Sequence, residues 1–157
     1  VTVIRVATTI AAPAGRVFDL ARSVDFHVAS AKASGERVVG GVASGLLEPG
    51  DEVVWSARHF GVRQTLSSRI TSFDRPRSFR DSMVRGAFKR FDHDHLFEDQ
   101  GDVVVMRDVF DYDAPLGLLG RIADALVLER HMRRFLEARA AEIKQAAESD
   151  AWRRYLT

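Results

Sequence analysis

The sequence predicts an α+β domain in which a curved seven-stranded antiparallel sheet wraps around one long C-terminal helix, with two short helices after the first strand. Three observations carry this. From Pro115 to Ala147, apolar residues recur at spacings of three and four, which lays one continuous stripe along a helix. From Glu36 onward, for about 75 residues, the hydrophobic period is two, the period of strands. Between the first strand and this meander lie two short segments of helical period.

Taken in order, Thr2 to Ile10 alternates and is rich in β-branched residues, so it reads as a strand. Ala12-Pro13 ends it. Ala14 to Arg22 places Val17, Phe18 and Ala21 at helical spacing behind Pro13, and Asp25 to Ala31 forms a second short helix with Ser23 as its cap. Six further strands follow at 36–43, 51–60, 62–73, 77–85, 88–98 and 102–112. Their turns have identifiable chemistry: in Glu48-Pro49-Gly50-Asp51 the proline presets φ and the glycine accepts a positive φ. Gly61, Asp74-Arg75-Pro76, Arg85-Gly86 and Asp99-Gln100-Gly101-Asp102 punctuate the rest. Short loops between neighbouring strands require antiparallel pairing, and Gly40-Gly41 inside a strand marks a bulge.

The long helix carries its stripe at Leu119, Ile122, Ala125/Leu126, Met132, Phe135/Leu136, Ala140, Ile143 and Ala147, and charged residues such as Asp124, Arg130, Arg134 and Glu137 on the other side. Pro115 suits its first turn, where a missing N–H has no intrahelical partner. The reading is one domain over 1–147, with a tail at 148–157 whose Trp152 and Tyr155 extend the helix or pack on the surface.

Bulk numbers exclude several functions. The chain has 157 residues, 46% of them hydrophobic, enough to close one core. Lys plus Arg number 23 against 22 Asp plus Glu, and no long block of like charge gives the basic footprint that nucleic acid or an anionic membrane needs. With no cysteine, disulfides, thiolate metal sites and cysteine nucleophiles are absent. No apolar run approaches a membrane span and no signal peptide is read, so the expected location is cytoplasmic.

Parity assigns the faces of the sheet. Trp55, Ala57, His59, Gln64, Leu66, Phe79, Asp81, Met83, Phe91, His93, His95, Phe97, Met106, Asp108 and Phe110 share one side; Arg58, Arg63, Arg69, Arg80, Asp92, Asp94 and Arg107 share the other. The apolar side must be buried, and the helix stripe is there to bury it.

One strand, two short helices, a six-stranded meander and a long helix is the order of the helix-grip fold. Ile10-Ala11-Ala12-Pro13 followed by Val17-Phe18-Asp19-Leu20 resembles the opening of the SRPBCC superfamily, which groups START lipid-transfer domains, birch-pollen-allergen-like proteins and polyketide cyclases. Ser34-Gly35-Glu36, Gly45-Leu46-Leu47, Gly50-Asp51, Arg58-His59-Phe60-Gly61, Gly86-Ala87-Phe88, His93-Asp94-His95 and Pro115-Leu116-Gly117 resemble a bacterial ligand-binding branch of it. The resemblance implies a deep cavity between sheet and long helix that takes a hydrophobic or amphipathic small molecule.

The inward face is interrupted by His59, Gln64, Asp81, His93, His95 and Asp108. Each polar group costs about 1–3 kcal/mol if buried unpaired, so these must bond to one another, to water or to a ligand. They are read either as a water-filled network that stiffens the sheet or as polar anchors in a cavity walled by Trp55, Met83, Phe91, Met106, Ile122, Leu126, Met132 and Phe135. The alternative is a polyketide cyclase, aromatase or dehydratase in which His93 or His95 is a general base, Asp81 or Asp108 orients it, and His59 or Gln64 holds an enolate oxygen. A third reading is an interaction module with a filled interior.

Two imidazoles two residues apart on a strand sit about 6.5–7 Å apart along the backbone. They share a metal only if the rings converge and a third ligand, His59 or Asp108, joins them; partnered histidines are the commoner outcome, and no metal or cofactor is assigned. His27 and the run Arg130, Arg133, Arg134 and Arg139 are read as surface. The expected partner is a hydrophobic small molecule, with no nucleic acid and no membrane span, and a homodimer is left open.

Overall fold

The computed structural model describes residues 1–31, 34–114 and 122–157. Strand β1 (Thr2–Ile10) is followed by helices α1 (Ala14–Ala21) and α2 (Val24–Ser30). Pro13 takes an extended conformation as the N-cap of α1. The Ser23 side chain accepts a hydrogen bond from the Phe26 N–H, satisfying a donor that the first turn of α2 leaves without an intrahelical partner. Strands β2 (Arg37–Gly41), β3 (Glu52–His59), β4 (Val62–Asp74), β5 (Ser78–Arg85), β6 (Arg90–Asp99) and β7 (Val104–Asp113) form the meander. All seven strands make one antiparallel sheet in the order β1-β7-β6-β5-β4-β3-β2. This is the helix-grip order, with β1 returning to pair with the last strand.

Gly41 shows why the sheet curls where it does. The β2–β3 register slips between Val38 and Gly40. Gly41 has φ +71°, and a Cβ there would stand 2.1 Å from the Glu52 carbonyl oxygen. Only glycine fits such a bulge.

Helix α3 (Ile122–Ala147) crosses the concave side and packs closest to β1. Its buried row is Leu128, Met132, Leu136, Ala140, Ile143 and Ala147. This corrects the expected stripe at its start: Leu126 is 51% exposed. The residue one turn before Met132 is Leu128, whereas Leu126 lies six positions before it, about 120° around the helix at 3.6 residues per turn. The expected start at Pro115, with Leu119, lies outside the described residues.

Two apolar clusters hold the fold. In one, Phe18 of α1 meets Phe73, Phe79 and Phe97 edge-on with centroids 5.2–5.4 Å apart. In the other, Ile4, Phe91, Phe110 and Tyr112 pack under Leu128, Met132 and Leu136. The tail folds as a 3₁₀ turn (Asp150–Trp152) and α4 (Arg153–Leu156). It packs on the first cluster, with Tyr155 edge-on to Phe26 at 5.3 Å and the Arg16 guanidinium over Trp152 at 4.1 Å.

Candidate functional site

Because α3 lies nearest β1, it does not fill the concave face above β3 to β6. A cavity of about 610 Å³ remains there. Its walls are aromatic and aliphatic, including Trp55, Leu66, Phe91, Phe110 and Phe135; Gln64, Thr65 and Ser68 interrupt them, as do three sets of paired polar side chains.

The first set is on the sheet. The register places Asp81 of β5 opposite His93 of β6, and His95 opposite Asp108 of β7, but the hydrogen bonds run diagonally. His95 donates from Nε2 to Asp81 Oδ1 at 2.8 Å, and His93 donates from Nε2 to Asp108 Oδ1 at 3.1 Å. His95 Nδ1 is also 3.2 Å from Asp108 Oδ1, and His93 Nδ1 is 3.7 Å from Asp81 Oδ1. The two imidazoles have converged to a centroid separation of 3.9 Å, and Phe79 stacks on His95 at 4.2 Å. Burial pushes the His95 pKa down, but hydrogen bonds to Asp108 and Asp81 outweigh it and raise the value to about 9. His95 is therefore an imidazolium at neutral pH. Burial alone would raise the pKa of Asp108, yet the hydrogen bonds from His93 and His95 hold it well below the usual carboxylate range.

The second set sits where α2 meets α3. Arg139 donates to Glu36 Oε2 at 2.7 Å and to His27 Nδ1, while His27 Nε2–H donates to the Ala21 carbonyl at 2.6 Å. These bonds fix the His27 tautomer. Burial first, then the Arg139 charge, drive its pKa well below the usual imidazole value, so it stays neutral.

The third set is toward the Phe60 end of the cavity. His59 Nδ1 and His131 Nε2 are 2.8 Å apart, joining the end of β3 to α3. The pKa values of both rings are lowered, first by burial, so one neutral imidazole donates to the other. Phe60, at the β3–β4 hairpin tip with φ +52°, lies against His131 at 4.4 Å and is 56% exposed. Among the described residues, no buried side-chain nitrogen or oxygen lacks a partner.

Residues 2–148 match the family described as polyketide cyclase / dehydrase and lipid transport. The chain belongs to this family. The structure of a START superfamily protein from Mycobacterium smegmatis is similar at TM-score 0.72 and 11% identity, covering 93% of this chain and 97% of that one. That of the Zhui aromatase/cyclase from Streptomyces sp. R1128 is similar at TM-score 0.72 and 16% identity, with coverages of 94% and 93%. The ginseng major latex-like protein 151 from Panax ginseng gives 0.67 and 18%, with 94% and 98% covered. At these identities the likeness is one of fold. No curated protein matches the chain. Among the described residues, no helix is long and apolar enough to cross a membrane.

Of the residues anticipated from the sequence, Trp55, His59, Gln64, Asp81, Phe91, His93, His95, Met132 and Phe135 line the cavity of this polyketide-cyclase/lipid-transport domain. Four do not. Asp108 lies behind the histidines, Met106 is fully buried in the first cluster, Met83 packs beside the second, and Leu126 points to solvent. The Ile122 side chain is outside the described residues. His59 is not a neighbour of the Asp81, His93 and His95 group but the partner of His131.

His27 and Arg139 were expected at the surface and are buried or nearly so, because both turn into the cavity. The signal was present in the spacing. His27 follows buried Val24 by three residues, and Arg139 follows His131 and Phe135 by eight and four, which puts each on an inward helical face.

Proposed function

We propose that the domain binds a hydrophobic or amphipathic small molecule between sheet and long helix. The observation that carries this is a 610 Å³ cavity whose ionisable side chains pair with one another and whose fully buried side-chain polar atoms, among the described residues, all have partners. A volume of this size suits a small-molecule ligand. Paired polar groups let apolar walls receive a ligand without leaving buried donors or acceptors stranded. The family, which spans lipid transport and polyketide chemistry, supports the same class of ligand.

Native mass spectrometry of the purified protein tests this directly, together with a fluorescent apolar probe read through Trp55 and displaced by candidate lipids and polyketides. Met132→Trp places a larger side chain in the cavity wall. The expected outcome is at least a tenfold loss of probe affinity with the fold intact by circular dichroism; unchanged uptake overturns the placement.

The second reading is acid-base catalysis on a poly-β-keto chain. Asp81 and His93 facing the cavity favour it. The base role then falls to one of them, since His95 as an imidazolium has no lone pair to accept a proton. Loss of turnover at retained binding in His93→Ala supports catalysis; parallel loss of both supports binding alone.

A further inference from the structure

We propose that Asp81, His93 and His95 form a binding site for a divalent first-row transition metal ion, held in shape by Asp108. This rests on the geometry of the four side chains and is independent of any organic ligand.

Each histidine divides its two ring nitrogens between two carboxylates. His93 Nε2 and His95 Nδ1 both face one oxygen of Asp108, at 3.1 and 3.2 Å. His93 Nδ1 and His95 Nε2 both face one oxygen of Asp81, at 3.7 and 2.8 Å. The two carboxylates differ in exposure: the Asp81 side chain is 21% exposed and lines the cavity, while that of Asp108 is 9% exposed and does not. One nitrogen of each imidazole therefore converges with a carboxylate oxygen on the open side, all three atoms within 4.8 Å of one another; on His95 that nitrogen coordinates by releasing its proton to solvent as the ion binds. The other nitrogen of each is anchored to a shared carboxylate on the closed side.

That arrangement is the one metal-ligating histidines adopt, donating the far N–H to a buried acceptor that fixes tautomer and ring orientation. Ligand atoms around an ion at about 2.0–2.1 Å stand roughly 2.8–3.4 Å apart for octahedral or tetrahedral angles; one Asp81 distance, 2.8 Å, falls at the short end and the other, 3.7 Å, just beyond the long end. Closing the His93 Nδ1 contact on Asp81 needs a shift of a few tenths of an ångström. Two imidazoles and one carboxylate on one side leave coordination positions facing the cavity, the donor set of an open transition-metal site and not of magnesium or calcium, which take oxygen ligands. Asp108 is a positioning residue; it touches no ion.

The test is titration of untagged, chelator-treated full-length protein with Co²⁺, read by visible d–d absorption, and with Zn²⁺ by calorimetry. The expected result is one equivalent bound. His93→Ala, His95→Ala and Asp81→Asn each abolish the Co²⁺ spectrum, and Asp108→Asn retains stoichiometry but weakens affinity about 10–100-fold. Absence of saturable binding by wild-type protein overturns the proposal, as does binding that survives unchanged in the Asp81→Asn and His93→Ala variants. Because wild-type protein alone can give the overturning result, a variant that fails to fold does not shelter it. Loss of apolar-probe binding leaves it untouched.

Discussion

His27 and His95 pull the pH profile in opposite directions. His27 is kept neutral in the folded state by burial and by the Arg139 charge; Glu36 pairs with Arg139, and His95 and Asp81 act on it from the sheet. The unfolded chain protonates this histidine below about pH 6.5, so the folded state loses stability as pH falls through that value. His95 has its folded pKa raised to about 9. Its contribution is complete below about pH 6.5 and is lost as pH climbs toward 9. The metal-free protein should therefore be most stable near neutrality. His27→Gln should flatten the acid side: on going from about pH 7 to about pH 5.5 its melting temperature should fall less than that of wild type, measured by calorimetry. An equal fall in both means His27 is not the group being titrated.

At this scale the sheet was legible and the helices only partly so. Parity in β6 placed His93 and His95 on the inward side because a strand offers just two faces. Their convergence to 3.9 Å was not legible, since it depends on the diagonal reach to Asp81 and Asp108 across two neighbouring strands. Arg139 escaped notice because a charged residue on a helix is normally solvated. Its burial is tolerable only beside Glu36 and His27, which come from distant parts of the chain.

Among the elements, α3 is the one whose orientation decides the site. Two rows share its inner surface: 128-132-136 packs on the cluster beside β1 and borders the cavity, and 131-135-139 faces the cavity. Leu128→Ala should therefore cost about 2–4 kcal/mol of stability, whereas Leu126→Ala should stay within about 0.5 kcal/mol. Urea unfolding of the two variants separates them, and the reverse order would mean the helix is rotated. The hydrophobic period indicated a helix here but not its rotation, because the leucine, valine and alanine residues at its start are apolar on several sides at once. The strands left less freedom. Turn chemistry and period two gave their order, and Gly40-Gly41 gave the bulge, since few backbones other than a bulged one require a glycine pair mid-strand.

For the molecule as a whole, a cavity of 610 Å³ is apolar surface that folding has left unpacked, so an occupant stabilises the native state by linkage. At about 100 times its dissociation constant, a ligand should add about 2.7 kcal/mol, a rise of roughly 5–10 °C in melting temperature for a domain of this size. A dose-dependent thermal shift with a displacing ligand, absent in Met132→Trp, is the expected readout.

The sheet order also sets a timetable. Thr2 pairs with Tyr112 and Ile10 with Val104, and the helix that packs on β1 comes later still. Ile4 and Ile10, fully buried in the finished protein, thus have neither strand partner nor helix cover while the intervening residues are being made. At about 5–20 residues per second that interval lasts roughly 5–20 s. The nascent chain carries an unpaired, β-branched strand throughout it, and the step that closes the sheet is the one most exposed to competition from aggregation or a holding chaperone.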